Sequence, residues 1–152
     1  MIKIEITSVI DAPEILKLQK LAYRSEAEIY NDFKIPPLKQ SLREAKLDFS
    51  KQTVLKAVVG DRIVGSVRAY KQAGTCFIGK LIIHPDFQNQ GLGTMLIKKI
   101  ETMFNDVNRY EVFTGHKSEK NLYLYQKLGY TKFKEVRIHE NLSMAYLEKK
   151  NE

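Results

Sequence analysis

Isoleucines at positions 2, 4 and 6 alternate with Lys3 and Glu5, a period of two that predicts a strand over residues 2 to 7 with one buried face. The pattern then changes to helical spacing. Ile15, Leu18, Ala22 and Ile29 supply an apolar stripe after Asp11-Ala12-Pro13, where Asp11 reads as the cap and Pro13 as a first-turn residue whose missing N–H costs nothing. Pro36-Pro37 breaks the chain, and Leu38, Leu42 and Ala45 predict a second short helix. Thr53 to Val59 and Ile63 to Ala69 are β-rich runs joined at Gly60-Asp61, and Cys76 to Ile83 follows the turn Ala73-Gly74-Thr75, so the three read as an antiparallel meander.

A third helix begins at Gly91, with Leu92, Met95, Leu96, Lys99, Ile100 and Met103 at the offsets of a buried face, Lys99 snorkelling. Glu111 to Gly115 is the next strand, and strand, helix and strand make a crossover with parallel ends. Ser118 is placed to cap a fourth helix that runs to about Leu128 and stops at Gly129. Lys132 to Ile138 and Leu142 to Leu147 close the pattern around His139-Glu140-Asn141. This order describes an α/β chain without repeats or linkers.

The loop entering the third helix is the most informative stretch. Gln88-Asn89-Gln90-Gly91-Leu92-Gly93-Thr94 lies between the apolar run Leu81-Ile82-Ile83, closed by His84-Pro85, and an amphipathic helix. Glycines there let the backbone approach a ligand, and the free N–H groups of a first helical turn favour phosphate oxygens. A nucleoside triphosphate loop would need a Lys after the glycine, and none follows; a dinucleotide loop would need a small residue where Leu96 stands.

The pattern Gln88-x-x-Gly91-x-Gly93 after a strand resembles the acyl-CoA pyrophosphate loop of the GNAT superfamily of N-acetyltransferases. Asn121-Leu122-Tyr123-Leu124-Tyr125-Gln126-Lys127-Leu128-Gly129-Tyr130 is similar to that superfamily's later motif, and the two stand in the family's order. The resemblance is sharp over residues 76 to 133. It implies one GNAT domain over residues 1 to 152, a single-domain GNAT-like α/β fold whose mixed central sheet has about seven strands flanked by about four helices. It implies acetyl-CoA as co-substrate, with the pantetheine arm along the backbone of Leu81, Ile82 and Ile83 and the pyrophosphate on the amides of Asn89, Gln90, Gly91, Leu92, Gly93 and Thr94. Tyr125 would be the general acid that protonates the leaving thiolate, and Asn121 a CoA contact.

Helical geometry agrees: at about 100° per residue Asn121 and Tyr125 flank Leu124 and Leu128 on one side of the fourth helix, at the border between core and cleft. A phenol whose pKa is ordinarily near 10 stays protonated at neutral pH and can donate to a developing thiolate. The family's glutamate base has no counterpart, because Phe77 and Phe113 occupy the aligned positions. A water chain, His116, Glu26 and Glu28 remain the candidates. Glu26, Glu28 and Asp32 gather negative charge where acceptor specificity resides in this fold, which suits a cationic amine, a small one in preference to a protein N-terminus.

Composition narrows the classes. The 152 residues are 43% hydrophobic and 28% charged, as expected of one globular domain, and no apolar run is long enough to span a bilayer or to serve as a signal peptide. A cytoplasmic location is expected. The single cysteine, Cys76, reads as a small buried strand residue, and His84, His116 and His139 fall at no metal-ligand spacing, so no metal is expected. The 25 Lys/Arg and 18 Asp/Glu give a net charge of +7, divided evenly between the two halves of the chain. That evenness argues against nucleic acid, while lysines at 98–99, 117/120 and 132/134 lie near the two motifs and could help hold CoA phosphates. The expected partner is a small-molecule amine or a peptide or protein amine, with no membrane or nucleic acid, and a homodimer is left open. A non-catalytic acyl-CoA-binding module would show the same phosphate loop and is the alternative from another class.

Overall fold

A computed structural model describes residues 1–152. The strands are β1 (Ile2–Ile6), β2 (Thr53–Val59), β3 (Arg62–Gln72), β4 (Thr75–Ile83), β5 (Arg109–Gly115), β6 (Thr131–His139) and β7 (Leu142–Lys150); the helices are α1 (Ala12–Tyr30), α2 (Pro36–Lys39), α3 (Leu42–Lys51), α4 (Leu92–Met103) and α5 (Glu119–Lys127). The strands form one mixed sheet in the order β1-β2-β3-β4-β5-β7-β6. The meander is antiparallel as expected, and β4 and β5 run parallel across the α4 crossover.

Helices cover both faces. On one, Leu92, Leu96, Ile97 and Ile100 of α4 pack with Leu55, Ala57, Val64, Val67, Val112 and Leu147; on the other, Ile15 and Leu18 of α1 pack with Val54, Val58, Ile63 and Ile82. Neighbours such as Val54 and Leu55 divide between the two cores because a strand alternates its side chains. Cys76 is fully buried in the first core, and burial pushes its thiol up to about 12. The structural reading of that residue stands.

Several local expectations are corrected. Asp11 stands at the N-cap position of α1 as expected, but its side chain makes no cap bond: a 3-10 turn, Val9–Asp11, precedes the helix, and Asp11 accepts from the Ser8 N–H at 3.4 Å and from Lys56 Nζ at 3.0 Å. The helical spacing of Leu38, Leu42 and Ala45 spans two helices, α2 and α3, separated at Gln40-Ser41. Ser41 starts α3 through a capping box, its hydroxyl accepting from Glu44 N–H at 3.1 Å while Glu44 accepts from Ser41 N–H at 2.9 Å. On α4 the buried face is Leu92, Leu96, Ile97 and Ile100, and Met95 and Lys99 are exposed. Ile29 is exposed as well; its place in the apolar stripe of α1 reflects a cavity wall, not the core.

Two irregularities shape the centre of the sheet. Ser66 pairs with Ile82 and Arg68 with Gly79, so the single residue Val67 faces both Lys80 and Leu81, a β-bulge. Lys80 takes φ +48°, unusual for a residue with a side chain in mid-strand. Secondly, β4 and β5 pair only from Thr75–Arg109 to Phe77–Glu111. Arg109 fastens this end, donating to Thr75 Oγ1 at 3.2 Å, Glu111 Oε1 at 3.0 Å and Glu148 Oε1 at 2.9 Å. Beyond Phe77 the strands part, leaving the carboxyl-terminal half of β4 with an open backbone edge.

Candidate functional site

The open edge of β4 leads into the mouth of α4. Gly91, at φ +80°, turns the chain into the helix, and the first intrahelical bond is Met95 N–H to Gly91 O at 3.1 Å. The amides of Leu92, Gly93 and Thr94 therefore lack helical acceptors and point out of the helix end, where the dipole adds partial positive charge. Gly93 has a second constraint. A Cβ there would meet Leu124 Cδ2 at 3.0 Å and Leu81 Cδ2 at 3.7 Å, so α5 and β4 converge on this glycine.

A cavity of about 630 Å³ occupies this place, lined by Leu81, Ile82, Ile83, Asn89, Gly91, Leu92, Gly93, Thr94 and Asn121 among others. Nine of the eleven predicted site residues thus come together here. Gln90 is exposed outside the lining, and Tyr125 faces the second cavity instead. Lys117, Lys120 and Lys127 give the wall an excess of positive charge over Glu26 and Glu119. Lys98, Lys99, Lys132 and Lys134 do not line it, which corrects the wider set of lysines expected near the motifs. Lys127 was legible as part of a helical face with Lys120 and Tyr123, since positions three, four and seven apart align.

A second cavity of about 620 Å³ lies between α1, α2, the bulge of β4, β5 and β7, and includes Phe113, Thr114, Gly115, Tyr125, Leu142 and Met144. The two cavities share Tyr23, Glu26, Leu81 and Asn121. Asn121 donates Nδ2 to Thr114 Oγ1 at 3.2 Å, which leaves its carbonyl oxygen available to the junction. Tyr125 is buried among apolar groups, which pushes its hydroxyl pKa above the ordinary value; no buried polar side-chain atom lacks a partner, so this unbonded hydroxyl opens on the cavity. Burial raises Tyr23 similarly, aided by the nearby Glu26 charge.

Glu26 is held by a relay. Tyr30 O–H donates to Ser118 Oγ at 2.8 Å while accepting from Lys117 N–H at 2.9 Å, and the Ser118 hydroxyl donates to Glu26 Oε2 at 2.5 Å. The Ser118 side chain is thereby committed to α1 and does not cap α5. Gly115 makes room for the relay, because a Cβ there would overlap the Tyr30 hydroxyl and ring.

The other acidic residues and histidines lie elsewhere. Glu28 is exposed and lines neither cavity, and Asp32 accepts from His139 Nε2 at 2.9 Å, so the expected acidic acceptor surface reduces to Glu26. His116 Nδ1 lies 3.0 Å from the Ser143 amide nitrogen and 3.1 Å from its carbonyl oxygen, and its ring lines neither cavity. His84 accepts from Asp86 N–H in the turn before the loop. No group of three or more His, Cys, Asp and Glu residues could hold a metal ion.

With this geometry in hand, comparison with known proteins is decisive at the level of family. The model of the family described as "Acetyltransferase (GNAT) domain" matches residues 22–150. The chain belongs to the GNAT acetyltransferase family. Acetyl-CoA is the co-substrate that this family implies, and the first cavity with its basic wall and free helix amides suits that molecule. The GNAT fold extends over the whole chain. The PaiA N-acetyltransferase from Thermoplasma acidophilum, solved in complex with coenzyme A, superposes with a TM-score of 0.82 at 13% identity, covering 99% of each chain. The ribosomal-protein-S18-alanine N-acetyltransferase from Escherichia coli gives 0.81 at 13% identity over 97% of this chain and 92% of that one. The IAA acetyltransferase from Bacillus cereus ATCC 14579 gives 0.77 at 18% identity, covering 99% of each. Among curated proteins, the UPF0157 protein YqkA of Bacillus subtilis (strain 168) is 25% identical over 134 residues, which span 88% of this GNAT chain and 38% of YqkA. No helix is long and apolar enough to cross a membrane.

Proposed function

We propose that the protein transfers the acetyl group of acetyl-CoA directly to an amine bound in the second cavity. The observation that carries this reading is the meeting of two cavities at Tyr23, Glu26, Leu81 and Asn121, one opening on free helix amides with Lys117, Lys120 and Lys127 in its wall, the other lined by a mixture of aromatic, apolar and charged groups. A transfer between two bound molecules needs such a junction, and holding both in one cleft supplies much of the rate.

The pyrophosphate is bound by the amides of Leu92, Gly93 and Thr94 with Lys117, Lys120 and Lys127 nearby, and the pantetheine arm runs along the open edge of β4 from Leu81 to Ile83, as an added strand would. Asn89 and Gln90 contribute through the loop backbone. Asn121 orients the arm through its free carbonyl oxygen. Among the residues considered as base, Glu26 alone lines both cavities. It takes the proton that an ammonium acceptor must lose before the nitrogen attacks the thioester carbonyl. Backbone N–H near Ile83 stabilises the oxyanion. Tyr125, kept protonated by its apolar surroundings, donates to the sulfur as it leaves.

The test is a panel of amines and peptides incubated with acetyl-CoA while free thiol is followed. Acceptor-dependent thiol release is expected. Tight acetyl-CoA binding with no release by any acceptor would instead identify a non-catalytic acyl-CoA-binding module.

A further inference from the structure

Behind one wall of the acceptor cavity two cations share one carboxylate. Arg68, 2% exposed at its side chain, donates Nη1 to Asp48 Oδ2 at 2.6 Å, and Lys80 Nζ lies 3.6 Å from the same oxygen. Gln40 Nε2 also donates to that oxygen at 2.8 Å. Arg68 is otherwise satisfied, by Gln19 Oε1 at 2.9 Å and by the Phe49 ring at 5.4 Å from its guanidinium carbon. Asp48 therefore neutralises Arg68, and Lys80 is left with the longer contact to an oxygen already occupied twice. The cluster carries one uncompensated positive charge, on the residue that lines the cavity. Burial lowers the Lys80 pKa, and the Arg68 charge adds to the effect, as expected of an ammonium that lacks a full counter-ion.

The backbone points the same way. Lys80 is the left-handed residue of the β4 bulge. Such conformations are costly for residues with a side chain and persist where the surrounding structure enforces them, often at ligand sites. Lys34 and Lys39 line the same cavity and are absent from the lining of the acetyl-CoA cavity. Of the two acids in the acceptor cavity, Glu44 is committed to the Ser41 capping box and Glu26 sits at the junction. The cavity thus has a carboxylate where the amine must react and cations in the part reserved for the rest of the acceptor.

We propose that the acceptor is a small amine that also carries an anionic group, its nitrogen at the Glu26 junction and its anion on Lys80. This rests on the acetyl-transfer reading above. The shared chemistry is an anion, either a carboxylate or a phosphate ester.

The experiment compares three sets of amines of matched length: α- to ω-amino acids, phosphoethanolamine, and neutral alkylamines and amino acid amides. In the wild-type protein with acetyl-CoA, the best anionic acceptor should have a kcat/KM about ten- to a hundredfold above its neutral counterpart, the value of one or two charge-assisted hydrogen bonds. Lys80→Met should narrow that ratio to within about threefold mainly by raising KM for the anionic acceptor, and Lys80→Arg should restore part of it. Whether the amino acids or phosphoethanolamine lead identifies the anion. Neutral amines or peptides acetylated as well as anionic ones, or a ratio untouched in a folded Lys80→Met protein, overturns the proposal while leaving acetyl transfer intact.

Binding gives an independent readout where turnover is absent. N-acetylalanine and N-acetyl-β-alanine, together with their amides, are titrated calorimetrically against the CoA-loaded protein. Preference for the acids that is lost in Lys80→Met supports the anion site. Equal binding of acids and amides, or no binding of either, removes it.

Discussion

The Cβ that Gly93 lacks would stand 3.0 Å from Leu124 Cδ2. The two sequence motifs, far apart in the chain, are therefore in contact: the glycine of the phosphate loop is the seat of a leucine from α5. Gly93 serves packing as well as close approach to a ligand, and a large residue there would disturb both, by overpacking worth about 1–3 kcal/mol. Thr94, one residue on and on the cavity wall, separates the two effects.

Thr94→Glu should leave the melting temperature at or above that of the wild type, because a carboxylate in the first turn of a helix is favourable by about 0.3–1 kcal/mol. The same charge should weaken acetyl-CoA binding at least tenfold by repelling the pyrophosphate. Calorimetric titration checks it. Undiminished affinity in the folded variant would place the pyrophosphate elsewhere.

Tyr125→Phe keeps the ring and most of the packing while deleting the proton. Turnover with the best acceptor should fall about 10²–10⁴-fold with acetyl-CoA affinity nearly unchanged. A kcat within about threefold of wild type would assign thiolate protonation to another donor.

Glu26→Gln should reduce kcat by a comparable factor, about 10²-fold or more for a general base. Ser118→Ala is the control, since it frees the same carboxylate from its relay without removing it. Equal losses in the two variants would make Glu26 a positioning residue. A much smaller loss in Ser118→Ala is expected.

The Glu44 carboxyl is held below its ordinary value of 4.5 by the Ser41 backbone N–H and then by the Ser41 side chain. A depressed carboxyl contributes stability that is present above the unfolded pKa and lost as pH falls through the folded one. The gap in melting temperature between wild type and Glu44→Gln should thus be full at pH 6 and close progressively below 4.5. A gap that stays constant down to pH 3 would show that the Glu44 charge does not support the cap.

Periodicity made most of the fold legible. Alternation in β1 and the meander, and the glycine-bounded helix after the phosphate loop, follow from local rules. The limits of such rules are equally visible. Ser41-x-x-Glu44 is a capping box written in the sequence, but the apolar spacing of Leu38, Leu42 and Ala45 runs across it, so periodicity alone does not divide α2 from α3. Ile29 kept helical phase with Ile15 and Leu18, yet faces a cavity, because an apolar stripe does not distinguish core from cleft. The loop at the mouth of α4 could be read as a candidate phosphate cradle because that chemistry is local. Lys80 and Tyr23 could not, since the bulge that carries Lys80 on the wall of the second cavity depends on its pairing with β3, and the junction at Tyr23 depends on where α1 crosses the sheet. Glu26 is one of several acids in the sequence, and only the packing of α1 beside the sheet puts it on the wall of both cavities.

The parting of β4 from β5 after Phe77 also has a thermodynamic consequence. The sheet is two blocks, one of four strands and one of three, joined by a three-residue parallel pairing and the Arg109 clamp. So short a seam is the narrowest backbone link in the sheet, and the core under α4, which reaches from Leu55 and Val67 to Val112 and Leu147, holds the two blocks together. A pantetheine chain laid along the free β4 edge and a pyrophosphate fixed at α4 would bridge the blocks as a splint. By linkage, saturation at a hundred times Kd adds about 2.7 kcal/mol. That gain would appear as a higher melting temperature and as slower amide exchange on both sides of the seam, in β4 and in β5. The same backbone edge that would receive a cofactor arm would then also be the place where its binding reinforces the sheet.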